Sequence, residues 1–319
     1  MSIIGHQKIL FFFNTLIAND SLSQSYCFVG REMVGKRTVA RYLSAQLLKI
    51  DEAKLDTHPD FYYLSRQIDE KTEKLKKEIS IAQARNIKER LGSRSWFGNY
   101  QAVIIDEAEL LNEESGNALL KILEEPTDRR VFFLLTSDES KLLQTIRSRC
   151  QVVYFGLASD KEIEFGLVEA GCDKKIAQEV SGMAWGRPGR AVELSVQEEL
   201  RTGYYNELSR WESIVNEPFY KKLIAVEDLL KDASATDASK VDSISTGEKL
   251  QNILETWQVV WRSVILDKLQ NKENKILAKH DLPMPVIVGL MGVFKKSQAL
   301  LGQNINPKLV VEQILLSLP

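Results

Sequence analysis

Five short apolar runs, separated by stretches with helical spacing, limit the first half of this chain to an α/β fold. They are Tyr26-Cys27-Phe28-Val29, Phe61-Tyr62-Tyr63-Leu64, Ala102-Val103-Ile104-Ile105, Val131-Phe132-Phe133-Leu134-Leu135 and Val152-Val153-Tyr154-Phe155. Each is continuous rather than alternating, the pattern of a strand buried on both faces of a parallel sheet. Between them, Val39, Ala40, Leu43 and Leu47 share one helical face. Ile79 to Leu91 and Glu113 to Glu124 repeat the pattern, the latter closed by Pro126. Such an alternation places helices on both faces of the sheet and a ligand site at its carboxyl edge.

A phosphate-binding loop follows the first run. Gly30-Arg31-Glu32-Met33-Val34-Gly35-Lys36 fits G-x-x-x-x-G-K, but the next position, where a hydroxyl would bind Mg²⁺, holds Arg37. Thr38 comes one residue late, a rotation of roughly 100° on a helix. The scaffold for holding phosphate on backbone N–H groups is kept, with Lys36 set to reach the outer phosphates, while the metal ligand is lost.

The third run ends in Asp106-Glu107. In a phosphate-loop protein, acids at this place hold Mg²⁺ and polarise the attacking water. They also read as helix-start acids placed favourably in the helix dipole. Thr136-Ser137 ends the fourth run, where a polar side chain could sense a γ-phosphate or simply cap a helix. Ile146-Arg147-Ser148-Arg149-Cys150 precedes the fifth. An arginine here could cross a subunit boundary and stabilise phosphoryl-transfer charge in a neighbour, or form an ordinary surface ion pair.

From about Asp160 no further strand run occurs. Lys161 to Ala170, Lys174 to Met183 and Gly189 to Leu200 read as a small three-helix unit. A third region starts near Tyr204, with a polar stretch over 231–247 read as a loop and then helices over 248–269, 284–301 and 307–318. Trp257 and Trp261, at i and i+4, read as core or interface anchors. With 42 Lys+Arg against 44 Asp+Glu, the chain is not coated in basic charge, so any nucleic-acid contact is local or supplied by an assembly. Arg85, Lys88, Arg90 and Arg94, just before Trp96-Phe97, form one such local cluster, which is equally a solvated helix face. Cys27, Cys150 and Cys172 form no CxxC pair, and the first two read as inert thiols. Phe11-Phe12-Phe13 lies in an apolar stretch far too short to span a bilayer, and the start of the chain lacks the pattern of a signal peptide. No membrane association is expected, and the chain reads as cytoplasmic.

Several segments together resemble a known family. Residues 117–126, Asn-Ala-Leu-Leu-Lys-Ile-Leu-Glu-Glu-Pro, are similar to the "NALLKxLEEP" helix of the delta-prime subunits of bacterial DNA polymerase III clamp loaders, within the AAA+ superfamily. Residues 145–151 resemble that family's "TIxSRCQ", 58–61 its "HPDF", 186–191 its "GxPGxA", and 304–312 its "NxNPxLxxE". The resemblance implies an α/β AAA+ nucleotide-binding fold with a five-stranded parallel sheet, then a helical lid and an all-α collar domain. The divisions are set at 1–157, 158–203 and 204–319.

It further implies a non-hydrolysing stator of a hetero-pentameric ring, which turns over no ATP of its own in clamp loading. Arg149 would then serve in trans as the arginine finger of a neighbouring site. The expected partners are the motor subunits and the delta subunit, with primer-template DNA met through the assembly and the sliding clamp only indirectly, at a bacterial replisome. Gly30, Gly35, Lys36, Thr38, Asp106 and Glu107 would make up a degenerate nucleotide site with no required cofactor, leaving residual ATP or ADP binding open. The lid arginine of active relatives falls at or near Arg187 and Arg190. Many members carry a four-cysteine zinc module before "HPDF"; residues 48–57 contain no cysteine, so no zinc is expected. The alternative is an active motor-type clamp-loader ATPase using Lys36, Asp106 and Glu107, which calls for Ser or Thr where Arg37 stands.

Overall fold

The computed structural model describes residues 3–69, 75–91, 95–96, 100–124, 129–215, 217–234, 246–269, 283–301 and 306–317. Arg94, Phe97, Pro126, Ile305 and most of the polar 231–247 stretch lie outside them. The chain folds as two compact units, Met1–Val196 and Gln197–Pro319.

In the first unit α1 (Gln7–Ala18) precedes β1 (Ser25–Val29), α2 (Lys36–Leu48), β2 (Phe61–Leu64) and α3 (Ile81–Leu91). Then come β3 (Gln101–Ile105), α4 (Glu113–Glu124), β4 (Arg130–Thr136), the single turn α5 (Gln144–Arg147) and β5 (Gln151–Tyr154). The sheet is five-stranded, in the order β2-β3-β4-β1-β5, and every pairing is parallel. The strand alternation splits the apolar runs between two cores. Tyr26, Phe28, Ala102, Ile104, Val131, Phe133 and Leu135 face Phe13 of α1 and Val39, Ala40, Leu43 and Leu47 of α2. Cys27, Val29, Val103, Ile105, Phe132 and Leu134 face Ala84 and Ile87 of α3 and Leu119, Ile122 and Leu123 of α4.

The two edge strands depart from double burial: in β2, paired only with β3, Tyr63 is 38% exposed. β5 is an edge strand, and Tyr154 is 63% exposed, because only β1 pairs with it. Of the three consecutive phenylalanines only Phe13 enters the core, its ring 4.8 Å from that of Tyr26. The helical periodicity of α1 turns Phe11 and Phe12 outward.

Three helices complete the unit: α6 (Asp160–Glu169), α7 (Lys174–Ala184) and α8 (Pro188–Val196). Ser159 and Glu162 start α6 with a reciprocal capping box, and Asp173 caps α7 through the N–H groups of Lys175 and Ile176.

The second unit is all helix among the described residues. Its elements are α9 (Glu198–Val215), α10 (Phe219–Ser234), α11 (Thr246–Leu269), α12 (Met284–Leu301) and α13 (Pro307–Leu316). Helix α9 runs through the 203/204 division drawn from the sequence. Trp211, Trp257, Trp261 and Phe294 are fully buried at the centre, the rings of Trp211 and Trp257 4.5 Å apart. Helix α12 is long and apolar enough to cross a membrane by length and composition, yet Ile287, Leu290 and Phe294 belong to this core. Asn306 caps α13 by accepting from Lys308 N–H, with Pro307 at its first position.

Candidate functional site

The loop between β1 and α2 lies at the carboxyl edge of the sheet, as the motif requires. Gly30 continues the sheet with an N–H bond to Thr136 O at 3.1 Å. A Cβ there would stand 2.7 Å from Phe155 O, so only glycine fits. Gly35 caps α2 with φ at 106°, again a glycine conformation. Between them the carbonyls of Met33 and Val34 are taken. Met33, itself at φ 61°, accepts the N–H of Gly189 at the start of α8 (2.8 Å), and Val34 accepts from Nε2 of His6 (2.7 Å). The latter contact fixes the proton on Nε2.

Lys36 turns back on its own loop, where Nζ donates to Gly30 O and to Arg31 O, the second at 2.9 Å. Burial lowers its pKa, against the upward pull of Glu109 and Asp106. Arg37 leaves the first turn of α2 toward the end of β3, where Nε donates to Oδ2 of Asp106 at 2.7 Å and Nη2 pairs with the same oxygen. The Tyr63 hydroxyl donates to that oxygen as well, at 2.7 Å. Burial opposes the charge on Arg37, but Asp106 and Tyr63 outweigh it and raise its pKa. Burial and the bond to Asp106 hold the Tyr63 phenol far above its ordinary range. Thr38, half-buried in the same turn, is not among the groups bonded to Asp106.

Glu107 adopts a left-handed φ of 52° and is gripped by the Arg66 fork, Nε to Oε2 at 2.7 Å and Nη2 to Oε1 at 2.5 Å. Both acids at the end of β3 are therefore matched by guanidinium groups of the chain itself. Neither Tyr63 nor Arg66 stands out in the sequence. The signal that finds them is strand register: β2 pairs with β3 at an offset that sets Tyr63 beside Ile104 and Leu64 beside Ile105, which carries Arg66 to Glu107. At the end of β4, Ser137 donates N–H and Oγ–H to Oε1 of Glu109 (3.0 and 2.6 Å), while Thr136 Oγ1 donates to Asp138 O.

Arg149 lies away from this cluster, just ahead of the edge strand β5. Its Nη2 pairs with Oε1 of Glu124 at 2.5 Å, and its Nη1 donates to Thr145 O at 2.7 Å. Arg147 pairs with Glu139 at 3.3 Å. On α3, Arg85, Lys88 and Arg90 occupy the exposed face, Arg90 lying 4.8 Å over the Tyr62 ring. Trp96 is 73% exposed, and its N–H is held by the fully buried carboxylate of Asp60. In the three-helix part of the unit, Arg187 and Arg190 both lie over the Trp185 ring, at 5.4 and 5.8 Å.

This arrangement has relatives. Residues 5–158 match the family model described as DNA polymerase III, delta subunit. The delta' subunit of DNA polymerase III from Escherichia coli (strain K12) is 39% identical over 98 residues, 31% of this chain and 28% of that protein. Over this region, a little under half of its length, the chain is similar to the delta' subunits of DNA polymerase III. The delta' subunit of Bacillus subtilis (strain 168) is 28% identical over 196 residues, 57% of each chain. Both matches span less than two thirds of the relative's own length. A DNA polymerase III gamma subunit-related protein from Thermotoga maritima superposes with a TM-score of 0.50 at 20% identity, covering 95% of this chain and 97% of its own. The fold is thus a five-stranded parallel α/β unit followed by a helical C-terminal region, as the resemblance implied.

Proposed function

We propose that the chain is a non-hydrolysing delta-prime stator of a clamp loader. It would take a fixed place in a hetero-oligomeric ring with motor and delta subunits, in the cytoplasm, supporting ATP-driven loading of the sliding clamp on primed DNA. The carrying observation is that Arg37 and Arg66 neutralise Asp106 and Glu107. A magnesium ion bound there would have to displace two charge-assisted contacts and would meet guanidinium charge instead of a hydroxyl. Lys36 adds to this by spending its donors on the carbonyls of its own loop. The residues as folded do not fit a magnesium nucleotide, and we assign none of them a step in hydrolysis. The motor-type alternative would require Arg37 to leave Asp106.

The role assigned to Arg149 is to act in trans, supplying positive charge to the outer phosphates of a nucleotide held by an adjoining subunit. Its exposed position before an edge strand supports that reading. The basic face of α3 would meet the primer-template backbone within the assembly, by sequence-independent and salt-sensitive contacts. The testing experiment is ATP turnover by the purified chain alone, then with motor subunits. No turnover alone, with turnover in the mixture that falls on Arg149→Ala, is the expected result. Turnover by the chain alone that is lost on Lys36→Ala would overturn it in favour of a motor.

A further inference from the structure

We propose that Glu124 is a positioning residue that latches Arg149, so that a neighbour's phosphates must compete with this chain's own carboxylate for the same guanidinium. The inference rests on the trans role proposed for Arg149. Both terminal nitrogens of that side chain are engaged within the chain. Nη2 pairs with Oε1 of Glu124 at 2.5 Å, while Nη1 donates to Thr145 O at 2.7 Å and to Ser148 Oγ at 3.3 Å.

The two sets of contacts differ in what they do to an incoming phosphate. The Thr145 carbonyl and the Ser148 hydroxyl are neutral and local, and they steer the side chain without opposing an anion. The Glu124 carboxylate occupies a donor and puts negative charge where a phosphate oxygen would sit. Carboxylate and phosphate are the two anions that an arginine fork recognises alike, so the two states exclude one another at Nη2.

The latch is also weak enough to open. Arg149 and Glu124 side chains are 35% and 48% exposed, so water screens the pair. Arg147 offers a contrast. Its partner Glu139 also accepts the Tyr154 hydroxyl, at 3.0 Å, so that carboxylate is shared and anchored to the edge strand. Glu124 is the last residue of α4, and Arg149 follows α5, so the latch ties two helix ends across one exposed edge.

The test is steady-state ATP turnover by the reconstituted ring carrying Glu124→Gln, which keeps the side-chain shape and removes its charge. Glu124→Ala serves as a second variant, and each is repeated in an Arg149→Ala background. A rise in kcat of about two- to five-fold is expected with Arg149 present, from the usual strength of an exposed ion pair, and no change with Arg149 absent. An unchanged or lowered kcat with Arg149 present would overturn the latch while leaving the trans role standing, provided Arg149→Ala alone lowers turnover. Equal changes in both backgrounds would overturn it too, since the effect would then run through the fold. If Arg149→Ala alone leaves turnover unchanged, the trans role fails and the latch with it.

Discussion

Arg37 and Asp106 are joined across the space between α2 and β3, Nε to Oδ2 at 2.7 Å, so the residue that departs from the loop motif is bonded to the acid that the motif would use for metal. The substitution and its compensation are one contact. Asp106 is buried at 7% exposure, and a carboxylate at such depth needs a partner. In active relatives of this fold class a hydroxyl and a metal would share that duty; here a guanidinium and a phenol do so.

Replacing the guanidinium should therefore cost stability and open the acid to divalent ions. Arg37→Ser is expected to lower the melting temperature by a few degrees, about 0.5–1 kcal/mol after discounting for the 63% exposure of the Arg37 side chain. Millimolar Mg²⁺ should restore part of the loss in the variant and leave the parent unmoved. Thermal melts with and without Mg²⁺ decide it, and equal Mg²⁺ responses in the two proteins would refute it.

The close approach at Gly30 gives a second test. In Gly30→Ala the new methyl would lie 2.7 Å from Phe155 O and 2.9 Å from Phe155 Cβ, which forces the loop away from the end of β5. A loss of about 1–3 kcal/mol is expected. Gly182→Ala, where a Cβ meets nothing within 4 Å, should not destabilise. Chemical denaturation of the two variants provides the comparison.

Thiol chemistry checks the sheet. Burial pushes Cys27 and Cys150 up to about 12, so at pH 8 only about one thiol in ten thousand is ionised in the folded chain. Alkylation by iodoacetamide at pH 8 should modify Cys172 well before either. Cys27, which is fully buried, should react in step with unfolding when denaturant is added. For stability the sign follows from the raised pKa: the contribution is present while the unfolded thiol is protonated and declines above its ordinary pKa, so alkaline pH weakens the fold. Rapid labelling of Cys27 in the native protein would contradict the burial described.

The last helix separates core from surface. Ile314 is fully buried and Leu315 nearly so, whereas Leu309 on the same helix is 59% exposed. Ile314→Ala should cost about 2–5 kcal/mol. Leu309→Ala should stay within about 0.5 kcal/mol. Unfolding of each variant, followed by the fluorescence of the buried tryptophans, measures both.

Most of the α/β unit was legible because its code is local. Continuous apolar runs mark strands, and a glycine loop between β1 and α2 marks the site edge. What was not legible depends on pairing between distant strands. Arg66 and Tyr63 look like ordinary residues of β2 and the turn after it until β2 is set beside β3, when the register delivers them to Glu107 and Asp106. The exposure of β5 had the same origin, since nothing in Val-Val-Tyr-Phe says that the strand has one neighbour only. The helical spacing of α13 likewise fixes which residues share a face but not which face turns inward, so Leu309 and Ile314 look alike in the sequence. The Arg149–Glu124 pair was hidden for a further reason: it joins two motifs, the helix and the Ser-Arg-Cys segment, that the sequence presents as separate signatures.

The loop carbonyls of Met33 and Val34 are held by Gly189 and His6, and those of Gly30 and Arg31 by Lys36. Its shape is thereby written by the chain's own contacts, and under the proposed stator role it would take no reading of the cell's ATP-to-ADP ratio. In the proposed ring, whose motor subunits would change with every turnover, such a subunit would serve as the datum against which their movement is converted into opening of a partner.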